Sequence, residues 1–266
     1  MMAAMPAGRA QPITTAGLHC VNSARSGRCQ PARRPLRPTL RGGTLPAAAG
    51  GGRVLPSRLS LCPAPTLMHI VRFAACPPSP WKNGGGITRQ LLIRPAAANL
   101  DDFALRVSVA DVDSDGPFSR FDGIDRTLTL LEGGGLQLQR DGAPLATLQA
   151  DSPLLHFAGE WPISSLRLAG KVRDFNIMTR RNQCHHRAER LSLDGSLTLA
   201  HDGPLLLFVA QGDAVTVSSD GASDTLQQFD LLWLEHAGTL QLHSDSACQL
   251  LLAHVVFADE RSDGNA

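Results

Sequence analysis

Two stretches of the chain repeat each other at a spacing of 79 residues, and this repeat limits the folds that the sequence can adopt. Leu128–Leu138 falls on Leu207–Val217, and Asp151–Gly159 falls on Asp230–Gly238. Each copy reads as an apolar strand, a turn with glycine, a second strand, a loop, and an aspartate followed by another apolar strand. Chance identity at a few small residues is the alternative, but two blocks that match at one offset favour a duplicated unit. The repeat therefore predicts two stacked barrels.

Short apolar runs separated by turns fill the chain after residue 67. They begin with Ile87–Ile93 and Phe103–Val109 and continue to Leu250–Phe257. Turn residues such as Asp141-Gly142 and Asp194-Gly195 separate the runs, whereas helical periodicity is weak. Many short strands at this spacing are typical of a sandwich or barrel, and the order within each repeat is that of half a cupin barrel. We predict an all-β fold of tandem cupin-like (double-stranded β-helix) barrels, a bicupin.

The first 67 residues differ in composition from the rest of the chain. They contain nine Arg and no Lys, Asp or Glu, so the remainder carries a net charge of about −8. This Pro-, Gly- and Arg-rich segment has neither helical nor strand periodicity. The pattern predicts a disordered extension over 1–67, a folded domain over 68–260 and a disordered tail over 261–266. Three origins of the extension remain open: an organelle transit peptide, a nucleic-acid-binding arm, or sequence upstream of a true start at Met68.

Charge and hydropathy argue against two classes of partner. The formal net charge of the chain is +1, which gives no reason to expect a nucleic-acid partner. No apolar run approaches the length of about 18 residues that a transmembrane helix needs, and a secretory apolar segment is missing too. We therefore expect no nucleic-acid partner, no membrane partner and a cytoplasmic location.

The cysteines do not form a metal or disulfide pattern. Three of the six lie in the first 67 residues, and the other three, Cys76, Cys184 and Cys248, are far apart in sequence. An odd number without close spacing indicates reduced thiols rather than a disulfide framework or a zinc site. No surrounding motif supports a catalytic cysteine.

Histidine spacing argues against a metal centre. Cupin metal sites usually contain a His-X-His pair, and the sequence has none. The pair His185-His186 is expected in a polar loop, and adjacent residues of a strand would point to opposite faces. His236 and His254, with Glu235, are the remaining candidate ligands, although histidines with structural or surface roles are more common. We expect no metal and no other cofactor.

Polar side chains lie among apolar neighbours in several motifs of the first half. Trp81–Gln90 (WKNGGGITRQ) places three glycines after Asn83, which permits close approach of the backbone to a ligand. A glycine-rich hairpin turn is the structural alternative, and a phosphate loop is excluded because the Lys-Ser/Thr ending is missing. Phe103–Ala110 alternates so that Arg106 and Ser108 share one face of a predicted strand, with apolar residues on the other.

Four blocks in this region resemble the hallmark blocks of the HutD/Ves family: WKNGGGITR, LRVSVADVDSDGPFSRFDGIDR, FAGEWPI and VRDFNIMTRR. The blocks keep the family order, and the repeat extends the resemblance to about residue 258, whereas 1–67 has no counterpart. The resemblance implies a bicupin-type protein, and for the HutD branch it implies an association with bacterial histidine utilisation through an intermediate such as N-formylglutamate. Gln90 and Leu105 depart from the family's frequent Glu and aromatic residue, which leaves the branch and the ligand open.

We expect a carboxylate pocket in the first barrel. Arg89, Arg106 and Arg126 lie in or beside strands with apolar neighbours. Arginine is rarely buried without a partner, and its planar fork suits bidentate binding of a carboxylate. The other expected site residues supply neutral hydrogen bonds, backbone N–H groups or apolar walls: Asn83, Gly85, Gly86, Thr88, Ser108, Ser119, Asn176, Trp81, Phe118, Phe121 and Phe157.

Internal ion pairs are the structural alternative for these arginines. Arg126 has Asp122 and Asp125 nearby in sequence, and Arg173 is followed directly by Asp174. For any single arginine such a brace is as reasonable as a ligand contact, whereas for the group a ligand site is the better interpretation.

Three classes of function remain open. The first is a non-catalytic binding protein for a small acidic metabolite such as N-formylglutamate or a urocanate-like acid, and it acts alone or as a homodimer. The second is a metal-independent cupin enzyme, an isomerase or a hydrolase, and the third is a structural interaction module. An enzyme needs a general acid or base, and the motifs offer little besides Lys82 and Asp174. We therefore predict the first class, with no catalytic residue.

Overall fold

The computed structural model describes residues 68–258, which form an all-β fold. The helical element of this region is the 3-10 turn Phe73–Ala75, and the region has no helix long and apolar enough to cross a membrane. The strands are β1 (His69–Val71), β2 (Pro78–Pro80), β3 (Gly86–Arg94), β4 (Leu105–Val112), β5 (Gly116–Pro117), β6 (Ile124–Glu132), β7 (Leu136–Arg140), β8 (Ala143–Leu148), β9 (Leu155–Ala158), β10 (Ile163–Arg167), β11 (Val172–Arg180), β12 (Cys184–His201), β13 (Leu205–Gln211), β14 (Val215–Ser219), β15 (Ala222–Leu226), β16 (Leu231–Leu234) and β17 (Gly238–Phe257). The predictions for 1–67 and 261–266 concern residues outside this range.

The first barrel consists of two antiparallel sheets that face each other. One has six strands in the order β2-β3-β4-β11-β6-β9, and the other has four in the order β5-β10-β7-β8. Leu128 and Leu130 of the larger sheet pack against Leu136 and Leu138 of the smaller one, and all four are fully buried or nearly so. Alternation of inward and outward side chains along each strand produces this core.

The second barrel is one sheet in the order β1-β16-β13-β17-β14-β15, with β12 added beside β17. Its interior is filled by leucine and valine side chains: Leu193, Leu205, Leu207, Val209, Val215, Val217, Leu226, Leu232, Leu234, Leu240, Leu242, Leu250 and Leu252. Interior positions of a small barrel are normally occupied by such side chains. The core cluster of the second barrel is therefore apolar.

The two barrels share an apolar layer. The odd-numbered residues of β4, Leu105, Val107 and Val109, belong to the same buried cluster as Phe208 and Trp233 of the second barrel. Aromatic rings meet in this layer, with the centroids of Phe175 and Phe208 4.3 Å apart. Side chains on alternate positions of β4 thus serve two purposes, because one face supports the neighbouring barrel and the other lines the first barrel.

The first strand of the described region belongs to the second barrel. In β1, His69 pairs with Trp233 and Val71 pairs with Leu231 of β16. Arg72, which follows β1, donates a 2.9 Å hydrogen bond to the buried carboxylate of Asp230. The described region therefore begins with a strand of the second barrel and then continues into the first.

The duplication is visible in the strand positions. β7 and β14 begin at Leu136 and Val215, and β8 and β15 begin at Ala143 and Ala222, so both pairs are 79 positions apart. β9 and β16 begin at Leu155 and Leu231, which are only 76 apart, because β8 and the connection after it are together three residues longer than β15 and its connection. The 79-residue offset therefore aligns the strands of the first sequence block in register, whereas it places those of the second block three residues out of register.

Candidate functional site

Polar and charged side chains line one end of the first barrel's interior. Arg106 and Ser108 lie on the inner face of β4, and their strand partners on β11 are Met178 and Asn176. Arg126 of β6 pairs with Met178 from the other side. Since neighbouring strands are about 4.8 Å apart, the backbones of Arg106 and Arg126 are about 10 Å apart across Met178. The two arginines thus flank one position of the barrel wall.

Arg126 is buried, and within residues 68–258 no carboxylate accepts a hydrogen bond from it. Its guanidinium donates from Nε to Oδ1 of Asn176 and from Nη1 to the carbonyl oxygen of Ser119, each at 3.3 Å. It also lies 5.3, 5.9 and 5.0 Å from the ring centroids of Phe118, Phe121 and Phe157. Burial lowers the pKa of this side chain to about 10. Aromatic faces attract a cation, but they do not neutralise its charge.

Arg106 is half-buried, and its hydrogen-bond partners in the described region are neutral: Nε donates to Oε1 of Gln90 at 3.1 Å, and Nη1 lies 3.6 Å from the sulfur of Met178. Burial lowers its pKa. The positive charge of Arg106 also lowers the pKa of Arg126, as expected for two cations in the same interior. An anion between these groups would relieve both effects.

Asp174 is the acidic side chain that shares this interior. It is 2 % exposed, and its Oδ1 has no hydrogen-bond partner. Burial raises its pKa to about 7, while the charge of Arg126 and a hydrogen bond from Asn176 act in the opposite direction. The carboxyl therefore changes its charge near neutral pH.

Arg89 does not join Arg106 and Arg126. It pairs with Val109 in the sheet, which places it on the face of β3 that looks toward the second barrel. Its Nη1 donates to the carbonyl oxygen of Cys76 at 2.8 Å, and its guanidinium lies 5.2 Å from the ring centroid of Phe73. Of the three arginines expected in one site, the structure thus brings together Arg106 and Arg126.

The glycine loop after Trp81 is a hairpin turn. Gly84 N–H donates to the carbonyl oxygen of Trp81 at 3.0 Å, and Gly85 N–H donates to Oδ1 of Asn83 at 3.0 Å. A Cβ on Gly86 would lie 2.4 Å from the carbonyl oxygen of Asp111, so this glycine is required for close packing. The N–H groups of Gly84 and Gly85 serve the turn rather than the mouth of a pocket.

The remaining expected residues fall into two groups. Ser108, Ser119, Phe121, Phe157 and Asn176 surround Arg126 or lie on the same inner face. Trp81 and Thr88 are joined by a 2.8 Å hydrogen bond from Nε1 to Oγ1 and hold the hairpin. Gln90 and Met178 contact Arg106 but were not expected as site residues. Met178 follows Asp174 and Asn176 at alternate positions of β11, so the alternation of this strand is the signal that would have identified it.

The braces proposed from sequence neighbours are not the ones that form. Arg173 pairs with Asp111 and Glu132, at 2.5 and 2.8 Å, rather than with Asp174. Asp125 is bound by Arg181 at 2.6 Å rather than by Arg126. Asp125 and Asp174 thus do not pair with the arginines that sequence proximity assigned to them, because ion pairs across strands are set by register and not by distance along the chain.

A second polar cluster lies on the opposite face of β6. Oγ1 of Thr127 is 2.7 Å from Nδ1 of His156 and 2.6 Å from Nε2 of His186. Burial lowers the pKa of His186 to about 4, so its ring is neutral. His185 and His186 lie in β12, not in the polar loop that we expected. A surface cavity of about 430 Å³ adjoins them, and the described residues contain no group of three side chains placed to hold a metal ion.

A sequence model described as HutD matches residues 74–252. The chain belongs to the HutD family. A 21.2 kDa protein from the hutC 3′ region of Pseudomonas putida is 35% identical over 169 residues, which cover 63% of this chain and 87% of that protein. Protein Ves of Cronobacter sakazakii is 33% identical over 181 residues, covering 66% and 92% respectively.

Solved structures, one of them of a HutD protein, share the fold. HutD from Pseudomonas fluorescens SBW25, in a formate condition, superposes with a TM-score of 0.62 at 26% identity over 72% of this chain and all of that chain. A conserved protein of unknown function from Pseudomonas aeruginosa PAO1 gives 0.66 at 32% identity, over 71% and 99%. The pirin YhhW of Escherichia coli gives 0.55 at 13% identity over 70% and 98%, which shows the fold alone. The predicted cupin-type fold is confirmed.

Proposed function

We propose that this protein binds a small carboxylate between Arg106 and Arg126 of the first barrel, without chemical turnover. The observation that carries the proposal is the pair of desolvated guanidinium groups, neither of which has a carboxylate within ion-pair distance among the described residues. Buried charges are normally paired, and a carboxylate is the group that the planar fork of arginine binds best.

The neighbouring side chains suit an acid with an apolar stem. Phe118, Phe121 and Phe157 form an aromatic wall around Arg126. Ser108 and Asn176 add neutral polar atoms on the same face. A dicarboxylate with a formamide, such as N-formylglutamate, matches two cations and one neutral polar contact, and urocanate is the second candidate.

Membership of the HutD family supports a role in histidine utilisation for this protein. The Pseudomonas putida relative is described by its position in the hutC 3′ region, and this context favours an acid of that pathway as the ligand. We propose that the protein senses or limits the concentration of such an acid in the cytoplasm. A homodimer stays a prediction.

A screen of thermal stability tests the ligand class. N-formylglutamate and urocanate are expected to raise the melting temperature, because a ligand that binds only the native state stabilises it. The matched neutral compound is the diamide of N-formylglutamate, which should have no effect. An equal rise with acid and diamide would contradict recognition by arginine.

The substitution Arg106→Met is expected to weaken N-formylglutamate binding about tenfold to a hundredfold, because a hydrogen bond to a charged group is worth about 1.5–3 kcal/mol. Calorimetry measures the affinity, and the melting temperature of the free variant should stay within a few degrees of the wild type. Arg89→Met is the matched control, since Arg89 lies on the other face and contacts Cys76. A large fall in melting temperature with unchanged affinity would instead identify Arg106 as a structural brace.

Asp174 supports one alternative function. Its buried carboxyl has a pKa near 7, which is the range in which a general acid or base is most effective. On this alternative the protein is a metal-independent enzyme, and N-formylglutamate would be hydrolysed to formate and glutamate. Release of formate by the wild type, absent from Asp174→Asn, would support the enzyme; binding of intact N-formylglutamate without turnover supports the binding protein.

A further inference from the structure

The charges inside the first barrel do not balance. Arg106 and Arg126 are two cations with no ion pair, and Asp174 is the acid on the same inner face of the described residues. Asp174 lies on β11 two positions from Asn176, which accepts from Arg126 at 3.3 Å. The charge of Arg126 lowers the pKa of Asp174, and Asp174 in turn raises the pKa of Arg126. These two groups are therefore electrostatic partners without direct contact.

Asp174 is shielded from solvent. The residue is 2 % exposed, and no hydrogen bond reaches its Oδ1. The other charged group that acts on it is Asp111 of β4, whose own carboxylate is held by Arg173 at 2.5 Å. A carboxylate bound at the two arginines would therefore act on Asp174 through its charge and through Arg126.

We propose that Asp174 is the internal counter-ion of Arg126 in the empty site and that it takes up a proton when a carboxylate binds between Arg106 and Arg126. This inference rests on the proposed function. Arg126 then balances the charge of either Asp174 or the ligand carboxylate, because it is costly to keep two negative charges in one desolvated site. Asp174 is the acid that is neutralised, since its unpartnered oxygen gains no hydrogen bond from remaining charged.

The direction of the pH effect follows from this exchange. The pKa of Asp174 in the empty site is already near 7 because of burial, and the negative charge of a bound ligand raises it further. The bound state therefore holds more protons than the free state around neutral pH, so binding takes up protons and the affinity falls as the pH rises. A site in which arginines were the only ionisable groups would bind with the same affinity across this pH range, because arginine stays protonated.

Calorimetry with N-formylglutamate at pH 6, 7.5 and 9 tests the proposal on the full chain. Both carboxylates of this probe are ionised throughout the range. We expect the binding constant to be about tenfold larger at pH 6 than at pH 9. At pH 7.5, titrations in Tris and in triethanolamine, which differ in ionisation enthalpy, should report uptake of about half a proton per ligand bound.

Two variants assign the proton. Asp174→Asn should bind N-formylglutamate with an affinity that does not change with pH and without proton uptake. Asp111→Asn is the matched control: it keeps the carboxyl of Asp174 and should therefore keep both effects, over a lower pH range because the charge of Asp111 raises the pKa of Asp174. The wild-type measurements decide the matter even where Asp174→Asn does not fold.

The outcomes separate this inference from the function on which it rests. Binding of N-formylglutamate that is equal at pH 6 and 9, with no proton uptake, would overturn the counter-ion role and leave carboxylate binding intact. Tighter binding at pH 9 would also overturn it, since Asp174 would then act as a charged acceptor for an N–H group of the ligand. Absence of binding at every pH would overturn the proposed function and this inference together.

Discussion

Replacing Asp230 by alanine is expected to lower the free energy of unfolding by about 3 kcal/mol. The carboxylate is 4 % exposed and accepts from the backbone N–H of Phe73 at 2.9 Å, from the backbone N–H of Gln227 at 3.0 Å and from Nη1 of Arg72 at 2.9 Å. Its loss leaves three partly buried donors without their partner, which costs more than the loss of an exposed ion pair. Urea unfolding measures the change.

Asp224 provides the matched control for this prediction. It binds the same arginine at 2.8 Å, but its side chain is 46% exposed. Asp224→Ala is therefore expected to cost less than about 1 kcal/mol, as is usual for ion pairs at the surface. Equal losses for the two variants would show that the turn before β16 does not depend on Asp230.

Removal of β1 is expected to lower the melting temperature by about 10 °C. A chain that starts at Phe73 lacks the pairing of His69–Val71 with β16, and it lacks the apolar contacts that Met68 and Ile70 make with the second core. Partial burial of these side chains contributes on the order of 1 kcal/mol each, and the ion pair of Arg72 is lost with them.

A chain that starts at Met68 is the control for this truncation. It retains β1 and Arg72, and it should melt at the temperature of the full chain because 1–67 has no core-forming pattern in its sequence. Differential scanning calorimetry of the three chains measures the difference. A clear loss of stability on removal of 1–67 alone would contradict this prediction.

Local alternation explains what could be predicted about the fold and the site. The pattern of β4 gives the inward position of Arg106 and Ser108 and the outward position of Leu105, and the structure has both. Alternation fails for β3, because a bulge between Gln90 and Leu92 breaks its register. The side of the sheet on which Arg89 lies follows from its pairing with Val109 of β4, and this pairing cannot be read from the sequence of β3 alone.

Contacts between distant parts of the chain explain what was missed. β1 pairs with β16 more than 150 positions away, and no local pattern specifies that partner. The role of Asp174 also depends on its surroundings, because its burial beside Arg126 changes its pKa, whereas its sequence neighbour Arg173 turns to Asp111. Residue type and spacing indicate a polar strand face, but burial and register decide which acid faces which base.

On the proposed function, the leucine and valine filling of the second barrel limits how many ligand molecules one chain can hold. Its interior residues, such as Leu207, Leu232 and Leu250, are all fully buried and apolar, so the duplicated half has no counterpart of Arg106 or Arg126. A titration should therefore saturate at one equivalent of acid per chain and follow a simple hyperbola, since positive cooperativity within a single chain requires a second site. Any sigmoidal response in the cell would have to arise between chains or upstream of this protein.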